Sequence, residues 1–198
     1  MDQTQINELQ WMLQYIKNGI PSLRYQASDC NAAFTLKSQH DLKLFLSFLG
    51  SIGAYFTFDF EVDHPLVFES NNALVVLDNF DKNWRQHPRN YYYGQGKAMS
   101  QDQIAELQAL LEYAKSLSPS LTYEIIEGDK FDLRLQSETD FLYCISFLGQ
   151  IGAYFAFDFD IDHDDYDLVP ESEHQTDYAR IIVIDYDPNW REHAPDFQ

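Results

Sequence analysis

AYFAFDFDIDHDDYD, from Ala153 to Asp167, alternates with a period of two over its first ten residues. Ala153, Phe155, Phe157, Phe159 and Ile161 fall on one side, and Tyr154, Ala156, Asp158, Asp160 and Asp162 on the other. Alternation of this length predicts a half-buried strand, because successive side chains of a strand leave on opposite faces. One face joins a core and the other sets carboxylates in water. Asp164, Asp165, Asp167, Glu171 and Glu173 carry the acidity onward past the strand.

The same stretch has a counterpart earlier in the chain. FLGSIGAYFTFDFEVDH at 48–64 returns as FLGQIGAYFAFDFDIDH at 147–163. QINELQWMLQY at 5–15 returns as QIAELQALLEY at 103–113, and DKNWRQH at 81–87 as DPNWREH at 187–193. The order is the same in both halves, which predicts a tandem duplication with a first repeat at 1–88, a linker at 89–99 and a second repeat at 100–198. Two copies are too few for a solenoid, so the expectation is a pair of small domains forming a pseudo-dimer within one chain.

Within each half the flanking patterns complete the unit. Ile6, Leu9, Leu13 and Ile16 keep the spacing of one buried helical face, as do Ile104, Leu107, Leu111 and Ala114. Ser100 with Gln103 reads as a capping box. Short strands are predicted at 23–26 and 32–36, and at 121–126 and 131–135, with Asp29 and Asn31, then Gly128 and Asp129, at the turns. Second helices follow at 39–50 and 138–149, with Ser38 and Ser137 as N-caps, and the last strands fall near 73–78 and 180–185. The fold class expected is α+β: two α-β-β-α-β-β units, each a mainly antiparallel four-stranded sheet with two helices on one face.

Charge sets the functional reading. The chain of 198 residues carries a formal charge of -19. Residues 1–98 hold 10 acidic against 8 basic side chains, whereas residues 99–198 hold 22 against 5. Such a balance argues against nucleic acid, whose binding needs lysine and arginine to displace counterions, and against anionic membrane surfaces. It favours a basic partner and fast, charge-steered encounter. Solubility does not require one half to carry nearly all the charge. The opening MDQTQINELQ has neither a basic nor an apolar leader region, no apolar run reaches the length of a membrane span, and Cys30 and Cys144 suggest no disulfide framework. A reducing, cytoplasmic location is expected.

Asp158, Asp160 and Asp162 resemble the opening of a calcium loop, but His163 stands where glycine is required and Val169 where glutamate is. A carboxylate acid–base pair needs a cleft and one raised pKa, and these acids read as solvated. The D-x-N-W-R-x-H element (Asp81, Asn83, Trp84, Arg85 and His87; Asp187, Asn189, Trp190, Arg191 and His193) reads as a turn anchored by tryptophan. Tyr91, Tyr92 and Tyr93 read as a seal between the copies or as contact residues. Neither cysteine lies in a nucleophile motif, and no cofactor, metal or catalytic residue is expected.

The sequence therefore predicts a non-enzymatic, acidic binding or inhibitor protein that engages a basic partner. Its most concrete form is an immunity protein neutralising a nuclease-like bacterial toxin through a face that imitates nucleic acid. The expected contact residues are Tyr154, Asp158, Asp160, Asp162, Asp164, Asp165, Tyr166, Asp167, Glu171 and Glu173. The alternative is an adaptor or chaperone-like protein using an open sheet face or a groove between repeats.

Overall fold

A computed structural model of the chain describes residues 1–27, 31–60, 73–86, 98–161 and 177–193. In order, they form α1 (Gln3–Ile16), β1 (Arg24–Ala27), β2 (Ala32–Leu36), α2 (Gln39–Ser51), β3 (Ala54–Phe60) and β4 (Ala73–Phe80), followed by a short 3-10 turn at Trp84–Gln86. Then come α3 (Gln101–Ala114), β5 (Thr122–Ile126), β6 (Lys130–Leu135), α4 (Glu138–Gln150), β7 (Tyr154–Ile161), β8 (Asp177–Asp185) and the one-turn α5 (Trp190–His193). The class is α+β. Two four-stranded sheets run in the orders β1-β2-β4-β3 and β5-β6-β8-β7.

The chain divides into two compact units. Unit 1 comprises Met1–Arg89, Leu148–Tyr154 and Tyr186–Gln198; unit 2 comprises Asn90–Phe147 and Phe155–Asp185.

In unit 1 the pairs β1–β2, β2–β4 and β3–β4 are antiparallel. The register sets Phe34 opposite Val75, Ala32 opposite Leu77 and Phe56 opposite Leu77, so these residues share one face, and each is at most 1% exposed. Phe45 of α2 meets that face, its ring centroid 4.7 Å from that of Phe34. Helix α1 buries Ile6, Leu9, Met12 and Leu13. It starts with a capping box between Asp2 and Gln5, and the Gln5 side chain also donates to the Phe80 carbonyl of β4 at 2.8 Å. A side-chain amide thus satisfies a helix end and a strand end together.

Unit 2 follows the same logic. Phe131 pairs with Val183, Leu133 with Ile181 and Leu135 with Ala179, all fully buried. Ser100 and Gln103 make the capping box that their spacing predicted. Glu127 and Gly128 both adopt positive φ, 53° and 87°, the pattern of a tight type I′ hairpin turn between β5 and β6.

Each unit also closes a clasp in front of its second helix. The Ser38 hydroxyl caps α2 at Asp41 N–H (3.0 Å), while the Asp41 carboxylate accepts from Ser22 N–H (3.1 Å) and the Ser22 hydroxyl from Lys37 N–H (3.0 Å). Ser137, Asp140, Ser120 and Gln136 make the corresponding bonds in unit 2 at 3.1, 3.0 and 3.0 Å. Asp41 and Asp140 are more than negative charges in a first helical turn: each is buried and ties the preceding loop to the helix.

Candidate functional site

Strand β7 carries the face that the sequence singles out. Phe155 is fully buried, Phe157 and Phe159 are half-buried, and Asp158 is exposed, as the alternation requires. The inward rings are held by Phe141 of α4, whose centroid lies 5.1 Å from Phe157 and 5.0 Å from Phe159, both edge-on. Tyr178 of β8 closes the cluster, 5.6 Å from Phe159. Edge-to-face packing of this kind fixes the rotation of the strand and so the direction of Asp158. Asp158 Oδ1 accepts from the Phe159 backbone N–H at 2.9 Å, which leaves its negative charge uncompensated by that bond. Asp160 lies in β7 with its side chain outside the described residues; Asp162, Asp164, Asp165, Tyr166, Asp167, Glu171 and Glu173 also lie outside them, as do His163, Val169, His87 and Tyr91 to Tyr93.

Tyr154 departs from the expected pattern. Alternation puts it on the solvent face beside the acids, but it is 4% exposed and its hydroxyl donates to Asp81 Oδ2 at 2.6 Å. It is the first residue of β7 and belongs to unit 1, where its ring lies against Gly53: a Cβ there would stand 2.6 Å from the ring. The matching Tyr55 donates to Asp187 Oδ2 at 2.7 Å and lies against Gly152, where a Cβ would stand 2.5 Å away. Both glycines have positive φ, 56° and 59°, so neither the backbone nor the space admits a side chain.

The two carboxylates are fully occupied. Asp81 Oδ1 accepts from Asn83 N–H at 2.7 Å and Asp187 Oδ1 from Asn189 N–H at 2.8 Å, which makes each D-x-N an Asx turn. Burial first, then the bond to Asp187, holds the Tyr55 phenol well above its ordinary pKa, so it remains a neutral donor rather than a nucleophile. His193 packs on the Tyr55 ring at 5.2 Å, with Nε2 3.8 Å from Asp187. Trp84 and Trp190 are buried, and Glu8 of α1 accepts from the Trp84 indole N–H at 3.0 Å while pairing with Arg85. The D-x-N-W-R element works as a structural anchor wherever it is described.

One charged group was missed by the sequence reading. Asp132 on β6 is 1% exposed and holds Arg180 of β8 in a two-pronged pair at 2.9 and 2.7 Å, with Arg134 at 3.5 Å. The residues at matching places in the first half are Ala33, Leu74 and Thr35. An acid and a base appearing together at two positions 48 apart was the available signal. Lys130 pairs with Glu127, Arg134 also with Glu124, and Lys115 with Glu112. Arg191 lies over the Trp190 ring at 4.4 Å. Every basic side chain of residues 99–198 is therefore already engaged within the chain.

Burial pushes the Cys144 thiol up to about 12, which makes it inert at neutral pH. Among the described residues no group of three or more His, Cys, Asp or Glu could hold a metal ion, and no helix is long and apolar enough to cross a membrane. Comparison with protein-family models, with curated proteins and with solved structures finds no match.

Proposed function

We propose that this chain is a non-catalytic binding protein of the cytoplasm whose second half docks a basic protein surface. Its most concrete form is an inhibitor of a nucleic-acid-processing toxin, with the carboxylates of β7 and the acidic stretch after it standing in for a phosphate backbone. The observation that carries the reading is the distribution of charge: 22 acids against 5 bases in residues 99–198, with those five bases occupied internally. Exposed Asp158, steered outward by the Phe141 cluster, supports it at one described point. The fold is read as a doubled unit with two helices on one face of each sheet, in which the near-neutral first half supports the second.

The alternative, an adaptor that binds through an apolar sheet face, makes the opposite prediction about salt. Screening at high ionic strength weakens exposed charge pairs and spares apolar contacts. The tagged full-length chain, used as bait in extract of the cells it comes from, is expected to retain a basic protein at low salt and to release it at about 0.5 M salt, where the screening length falls to about 4 Å. A partner retained equally at both salts sinks the electrostatic reading and favours the adaptor.

A further inference from the structure

We propose that the surface around Gly53 and Asp81 is a docking seat for a second copy of the same segment, filled in this chain from within, and that emptying the internal contact lets the chain pair with another copy of itself. The proposal rests on the doubled-unit reading and not on the identity of any basic partner.

The geometry is reciprocal. Tyr154 lies on Gly53 and donates to Asp81; Tyr55 lies on Gly152 and donates to Asp187. In the aligned stretches Tyr55 corresponds to Tyr154, Gly53 to Gly152 and Asp81 to Asp187. The hydrogen bonds agree to 0.1 Å, 2.6 against 2.7 Å, and the glycine φ angles to a few degrees, 56° against 59°. Residue i meeting j while j meets i is the mark of a self-complementary, two-fold contact, the kind by which identical subunits pair. Each half therefore supplies a complete set of seat, tyrosine and carboxylate. All of these residues belong to unit 1, whose segments Leu148–Tyr154 and Tyr186–Gln198 bring the second set to the first.

A complete set in one half has the chemistry to engage the same set in another molecule. The intact chain prefers the internal match because a covalently joined segment acts at an effective concentration on the order of millimolar. Below that concentration the wild-type protein is a monomer. Disabling Tyr154 and Asp187 removes both internal hydrogen bonds, so that the Tyr55 hydroxyl and Asp81 Oδ2 make theirs with the same set in another chain.

Sedimentation of the full-length chain tests this. The wild type is expected at the mass of one chain. The double variant Tyr154→Ala/Asp187→Ala is expected to move to the mass of two chains as concentration rises, and adding Tyr55→Ala is expected to return it to one. Tyr154→Phe/Asp187→Asn, which removes the bonds and keeps the volume, is expected to behave like the first double variant if that one loses its circular dichroism. A wild-type dimer overturns the proposal, as does a double variant with native circular dichroism that stays at one-chain mass. The mirror variant Tyr55→Ala/Asp81→Ala separates the two readings: a dimer from one double variant and not from its mirror upholds the seat and counts against a doubled unit.

Discussion

Asp158→Lys/Asp160→Lys is expected to lower affinity for the proposed basic partner about 100-fold while leaving the chain folded. Close charge pairs across an interface are coupled by about 1.5 kcal/mol at the low end, and each 1.4 kcal/mol is tenfold. Two lost pairs therefore reach about 100-fold before any new repulsion by the lysines is counted. Folding is spared because Asp158 is exposed and its described bond is to the neighbouring backbone N–H. Carboxylates two apart on a strand stand about 6.6 Å from one another, a repulsion of about 0.6 kcal/mol in water, and the two lysines replace it with one of about the same size. Titration calorimetry against the captured partner reads the affinity, and circular dichroism reads the fold. Affinity within about threefold of wild type would remove β7 from the interface.

Phe141→Ala is expected to lower stability by about 4 kcal/mol, the middle of the range for truncating a buried phenylalanine. Phe141 is fully buried, and its ring meets Phe157, Phe159 and Tyr178 at centroid distances of 5.1, 5.0 and 6.2 Å. Removing it withdraws the common partner of two strands and leaves a cavity that their rings cannot fill without rotating β7. Urea unfolding measures the loss. A change below about 1 kcal/mol would mean that the cluster collapses around the gap, and that the outward aim of Asp158 does not depend on it.

Much of the fold was legible because local chemistry and burial agree in it. Ser38 and Ser100 cap the helices where their spacing places them, and the buried residues of α1 and α3 follow the helical period, with Gln5 and Met12 as unforeseen additions in α1 and Ile16 only half-buried. The inward face of β7 was readable for the same reason. Tyr154 was not, because alternation treats the outer face of a strand as solvent along its whole length. At its first residue that face meets Gly53, and the phenol that would have wanted water finds Asp81 instead. Asp132 was invisible for a different reason: its burial depends on β6 and β8 lying side by side, which brings Arg180 across 48 residues to neutralise it. A charged residue on a strand suggests exposure until its partner is known. The excess of acids in the second half was legible as composition, since a tally of charge needs no coordinates.

Zero-length carbodiimide cross-linking of the protein with its captured partner, read by mass spectrometry, tests the central claim most directly, because it joins a carboxylate to a lysine only where the two touch. The account predicts that the linked carboxylates fall between Asp158 and Glu173. Cross-links confined to the acids of residues 1–98 would contradict it.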